Sequence, residues 1–144
     1  MLLQIDKAFT RFAYKLGVES AYIAAKGKKN ALESSNDLPI SMAVLVDKCN
    51  SFNQLPANRA IYFIALLEQL QKQNYSGFII SSENYNYFLS NSNSPYLSKD
   101  IQILNNWKSI DTETVTKAYI RTLMTVKYGE NHHGREFRVV ISES

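Results

Sequence analysis

Apolar residues recur at helical spacing through most of this chain. Phe9, Phe12, Ala13 and Leu16 fall at i, i+3, i+4 and i+7, one face of a helix predicted over roughly 5–26. Gly17 interrupts that face, and Val18, Ala21, Tyr22 and Ile23 resume it. The clusters Gly27-Lys28-Lys29-Asn30 and Ser34-Ser35-Asn36-Asp37 predict a loop or linker. A second helix is predicted from Asp37, a capping residue, with Pro39 in its first turn. Met42, Leu45, Val46 and Cys49 form its apolar face, and Asn50-Ser51 end it.

The third helix, opened by Pro56 and running to Asn74, is the clearest. Ala60, Ile61, Phe63, Ile64, Ala65, Leu66, Leu67 and Leu70 leave it apolar on nearly all sides, which predicts a central, buried element. Between 75 and 98 aromatics are interleaved with Ser and Asn. Gly77 to Ile80 reads as a short strand, Ser82 to Leu89 as a short helix, and 91–95 as a loop. Ser98 caps a helix over about 99–108, anchored by Ile101, Leu104 and Trp107. Asp111 caps another, with Ile110 and Val115 spaced as a hydrophobic staple and Ala118, Tyr119 and Leu123 continuing the face. The tail reads as a hairpin. Thr122 to Glu130 is one strand, Asn131-His132-His133-Gly134 the turn, and Arg135 to Ser142 the other strand, with Phe137, Val139 and Ile141 alternating inward. The helix-to-strand switch near 121–125 reads either way.

These elements define a mainly α (α+β) fold: about five helices packed round a central helix 56–74, with a C-terminal β-hairpin. At 144 residues the chain makes a single compact domain. A division into a basic helical unit, 1–30, and a core with the hairpin, 37–144, is the alternative. Charge changes this picture at one end. The net charge is +3, but residues 1–30 hold six bases and two acids, 31–100 four bases and six acids, and 101–144 six and five. Any electrostatic footprint therefore begins at the N-terminus. Cys49 is the single cysteine, which excludes an intrachain disulfide and fits a reducing compartment. The longest apolar run, Ala60 to Leu67, is far short of the roughly 20 residues a membrane span needs. The expectation is a cytoplasmic protein with no membrane contact.

Within the basic N-terminus, Ala13 is the small residue a helix crossing requires. Gly17 suits a tight turn, and Leu16, Val18 and Ile23 suit the clamp between two helices. On these residues the segment 11–29 resembles the helix-turn-helix of phage-repressor-type DNA-binding regulators. The resemblance implies a second helix that enters the major groove by its N-terminal end, presenting Ser20 and Tyr22 to base edges beside Glu19 and Ala21. Arg11, Lys15, Lys26, Lys28 and Lys29 complete the implied nucleic-acid-binding set, the last three meeting phosphates. Lys26 departs from the pattern, since a last apolar clamp belongs there. The competing reading is an amphipathic helix broken by Gly17 and packed as core. A second helix–turn–helix rhythm spans Leu104 to Leu123, followed by the hairpin as a wing carrying Lys127, His132, His133, Arg135 and Arg138. Two ordinary helices and a hairpin explain it better.

Catalytic chemistry is not written here. There is no glycine-rich phosphate loop, no HExxH and no CxxC. Cys49 falls on an apolar helix face, the position of a buried structural thiol. His132 and His133 stand at a turn tip with Glu130 as the one nearby acid, too few groups for a metal site. No enzyme activity, cofactor or metal is expected. The Tyr/Asn/Ser stretch offers Tyr75, Tyr85, Tyr87, Phe88 and Tyr96 as a protein interface, because tyrosine brings contact area with few rotors. Two function classes follow. The first is a small DNA-binding regulator, with duplex DNA as partner and a homodimer as its natural form. The second is a small inhibitor or adaptor of the immunity or antitoxin kind, or a subunit of a larger assembly.

Overall fold

A computed structural model describes residues 17–38, 41–51, 56–72, 77–81, 97–128 and 138–142. In chain order these form α1 (Val18–Ser34), α2 (Met42–Asn50), α3 (Pro56–Lys72), β1 (Gly77–Ser81), α4 (Leu97–Asn105), a 3-10 turn (Trp107–Ser109), α5 (Thr112–Tyr128) and β2 (Arg138–Ser142). The described part is mainly helical, as the apolar spacing predicts.

The helix α3 is central. It packs against α1, α2 and α5, and Ile61, Phe63, Ile64, Leu66, Leu67 and Leu70 are all buried. Its two sides feed two clusters. One joins Phe63, Leu66, Leu67 and Leu70 to Leu45 and Cys49 of α2, Ile101 and Leu104 of α4, Trp107, and Val115, Ala118, Tyr119 and Leu123 of α5. The other joins Ala60, Ile61 and Ile64 to Ala21 and Ala25 of α1 and Ile120 of α5. At the heart of the first, the rings of Phe63 and Tyr119 stack with centroids 3.9 Å apart, and the Tyr119 hydroxyl donates to the Cys49 carbonyl at 3.1 Å. That bond gives a buried phenol its partner.

Helix ends follow local chemistry. Ser41, not Asp37, caps α2, its hydroxyl accepting from the Val44 N–H at 3.5 Å. Asp111 caps α5, accepting from the Thr114 N–H at 2.9 Å. Asn36, at φ 61, stops α1. Its N–H donates to the Glu33 carbonyl while that of Asp37 donates to Leu32, the paired bonds of a Schellman motif. The turn signal at 34–37 is thus real, but the one at 27–30 is not. Residues 27–30 lie inside α1. Glycine in a helix costs about 1 kcal/mol relative to alanine, and the contacts of Ala25, Lys29 and Leu32 outweigh it.

The C-terminal hairpin requires correction. Residues 122–128, the greater part of its first strand, are the last turns of α5. Thr122 and Leu123 are buried there, and the Thr122 hydroxyl returns to the Tyr119 carbonyl at 2.7 Å. Tertiary burial outweighs β propensity in this stretch. The strand β2 pairs instead with β1, antiparallel, with Val139 opposite Ile80. The turn residues 131–134 lie outside the described residues.

One contact ties this sheet to the helices. The Asn50 side-chain amide donates to the Val139 carbonyl at 2.8 Å and accepts the Val139 N–H at 2.7 Å. A single carboxamide thus satisfies both backbone groups that Val139 turns away from β1, as a neighbouring strand would. Asn50→Ala leaves both unpaired in a part-buried setting. It is expected to cost about 1–3 kcal/mol in urea-unfolding free energy. A loss within experimental error would show that water replaces the amide.

Candidate functional site

The residues singled out in the sequence meet different fates. Gly17 sits at φ 92, in the left-handed region, immediately before α1. Arg11, Lys15 and Leu16 lie outside the described residues, as do Tyr75, Tyr85, Tyr87, Phe88, Tyr96, His132, His133 and Arg135. The remaining members, Ser20, Tyr22, Lys26, Lys28 and Lys29, share α1, but the helix turns them to different sides.

Lys29 faces inward. Its side chain is 4% exposed and forms ion pairs with Glu68 of α3 and, at 3.0 Å, with Glu33. Lys26 also bonds Glu68. This corrects the implied phosphate contacts: two of the three lysines converge on one half-buried carboxylate. Burial pushes the Lys29 ammonium toward the neutral form, and the Glu68 and Glu33 carboxylates more than offset it, so its pKa lies above the ordinary lysine value. Burial likewise pushes Glu68 up, and its two lysines pull it below the ordinary carboxylate range. Tyr22 packs against the second cluster beneath Lys117 of α5, whose ammonium lies 5.9 Å from the ring centre. Lys117 bonds Glu113 at 2.7 Å and approaches Glu19 at 3.9 Å. Lys28 is half-buried.

Ile23 is the second correction. The resemblance makes it a clamp between helices, yet it is 64% exposed. A helix turns 100° per residue, and with Ala21, Ala25 and Lys29 facing α3, position 23 points outward. Nearest it stand Asn30, Ser34 and Gly27, with Ser20 and Ala31 along one edge of the outward face of α1 and Glu19, Lys26 and Glu33 along the other. The signal was present in the sequence as the uncharged positions 20, 23, 27, 30, 31 and 34. It was masked there by reading 27–30 as a loop.

Elsewhere charges serve the fold. Arg121 of α5 clasps Asp100 of α4 with Nε 3.1 Å from each carboxylate oxygen. Burial raises the Asp100 pKa, and Arg121 lowers it by less. The Cys49 thiol is buried as expected, and burial pushes its pKa up to about 12. Among the described residues no group of three or more His, Cys, Asp or Glu side chains is placed to hold a metal ion. No helix among them is long and apolar enough to cross a membrane. No protein family, curated protein or solved structure matches the chain.

The two paired carboxylates carry opposite signs in pH. Glu68 is depressed, so its contribution is present above its unfolded pKa of about 4.3 and is lost as pH falls through the lower folded value. Asp100 is raised, so its contribution is present below its unfolded pKa of about 3.9 and is lost as pH rises through the higher folded value. Urea unfolding across pH 2–6 is expected to lose part of its acid sensitivity in Glu68→Gln and to gain acid sensitivity in Asp100→Asn. The same slope in both variants would refute the assignment. A thiol reagent is expected to modify Cys49 at the rate of unfolding, with no fast phase in the native protein.

Proposed function

We propose that this chain is a non-enzymatic binding module, of the adaptor or inhibitor kind, that recognises a protein partner through the outward face of α1 in the cytoplasm. The observation that carries the reading is Ile23, 64% exposed on the outward face of α1 beside Gly27, Asn30 and Ser34. Exposing a branched aliphatic side chain forgoes about 1.5–3 kcal/mol of burial, which a partner recovers. The supporting argument is electrostatic. Lys26 and Lys29, the basic groups nearest that face, already serve Glu68, and protein interfaces are depleted of charge at their centres.

DNA binding is the second reading, favoured by one observation. Gly17 has a positive φ immediately before α1, at the position the helix-turn-helix resemblance gives to its tight turn. Its cost is that Glu19, an acid, stands in the first turn of the helix that would enter the groove.

Two measurements separate them. With the tagged chain as bait, Ile23→Asp is expected to abolish partner capture while Lys28→Ala retains it. Fluorescence polarisation with a labelled random duplex, run from low to physiological salt, is expected to show at most weak binding. Tight, steeply salt-dependent binding that Lys28→Ala weakens and Ile23→Asp spares would overturn the protein-binding reading and put α1 on phosphate.

A further inference from the structure

We infer that α1 is an electrostatic strap. It releases from α3 and α5 as a unit while the rest of the helical core stays folded, and its release uncovers the apolar strip Ala60, Ile61, Ile64 and Ile120. The strap concerns the inward side of α1 and does not rest on the partner proposed above. Three observations converge.

The first is how little apolar side chain α1 buries. Among the described residues its wholly buried apolar positions are Ala21 and Ala25, with Val18, Tyr22 and Leu32 partly buried beside them. The other helices that cover α3 bring larger groups: Leu45 from α2, and Val115, Tyr119 and Leu123 from α5. Apolar stabilisation follows buried area, and an alanine side chain is a single methyl group. The helix also closes off more than it contributes, since Ile61, Ile64 and Ile120 in the same cluster are each at most 5% exposed.

The second is what supplies the rest of the hold. Glu68 of α3 takes both Lys26 and Lys29, while Lys117 of α5 stands 3.9 Å from Glu19 and 5.9 Å from the Tyr22 ring centre. Lys29 and Glu68 are both shifted toward their charged forms, so the pairing outweighs the burial that opposes it. Without the Glu68 carboxylate, buried Lys29 keeps Glu33, which belongs to α1 itself and holds nothing across the interface. A buried charge that loses its partner is strongly destabilising.

The third is the lack of main-chain ties. The backbone hydrogen bonds at the ends of α1 are local, from Ala21 to Gly17 and from Ser35, Asn36 and Asp37 back to Ala31, Glu33 and Leu32. Among the described residues no backbone–backbone hydrogen bond joins α1 to another element. The neighbouring elements are tied more firmly, β2 to α2 through the Asn50 amide and α5 to α2 through the Tyr119 hydroxyl. Release of α1 therefore breaks side-chain contacts alone.

The test is native-state hydrogen exchange of the full chain, read amide by amide by NMR, which separates local opening from global unfolding. A detached helix of 17 residues is marginal in water, so release appears as exchange of its amides. The central amides of α1, residues 24–30, are expected to be about tenfold or more less protected than the slowest amides of α3 and α5. In about 1 M sodium chloride, where the Debye length is about 3 Å, α1 protection is expected to fall further. Glu68→Gln is expected to lower it about tenfold or more, by leaving Lys29 unpaired across the interface. Adding Lys29→Met to Glu68→Gln removes that charge while keeping an unbranched side chain in place, and is expected to restore most of the loss. Central α1 amides as protected as the slowest of α3 and α5 would make the helix part of one cooperative unit and overturn the inference. So would α1 protection that neither salt nor Glu68→Gln moves, since the charges would then have no part in the hold. The wild-type comparison and its salt series decide the matter even where Glu68→Gln does not fold.

Discussion

A helix that is apolar on every side has to be covered on every side, and α3 imposes this on the whole molecule. Phe63, Leu66, Leu67 and Leu70 look toward α2, α4 and α5, while Ala60, Ile61 and Ile64 look toward α1. The two clusters are two faces of one cylinder. Everything else can be read as a response to that demand: which helices pack where, which polar groups are buried, and which faces are left over for solvent.

Glu68 shows how a charge is tolerated in such a helix. The cover on that side is α1, whose inward residues are small, Ala21 and Ala25. Such a contact removes little apolar area, so the helix is also held through Lys26 and Lys29. A buried ion pair is weak evidence for stability in itself, yet removing one partner is costly, because the other charge is left without compensation. The consequence for function is direct. Lys26 and Lys29 are engaged inward, and the exposed charges of α1, Glu19 and Glu33, lie along one edge of its outward face.

Much of this fold was legible in the sequence where a physical signal was local and periodic. The all-round apolar pattern of 56–74 marked the central helix, Ile101, Leu104 and Trp107 marked anchors that are buried, and Asp111 marked a cap that forms. The failures share a cause, in that each needed a partner distant in sequence. Residues 27–30 read as a loop because Gly27 and Asn30 are turn formers, and nothing local reveals that Glu68 waits for Lys29. Residues 122–128 read as a strand because threonine and valine favour one, and only the packing of Thr122 and Leu123 decides otherwise. The candidate site was half visible. The sequence singled out α1 as the candidate, but a motif template assigned Ile23 inward, whereas the angular position set by Ala21 and Ala25 turns it out.

The bond between Asn50 and Val139 also bears on the order in which the chain can fold. It spans 89 positions, so its partner strand leaves the ribosome long after α2 and α3 are complete. Closing so long a loop is entropically costly, as is the packing of α1 on α5, which brings Ala21 to the cluster of Ile120. Helices α1, α2 and α3 can assemble from contacts nearer in sequence, whereas the sheet must wait for the end of synthesis. During that interval the carboxamide of Asn50 has no strand to imitate, and the flank of α2 that β2 will cover faces water. The strand β2 is thus the last of the described elements to be synthesised, and the bond to Asn50 can form only after it.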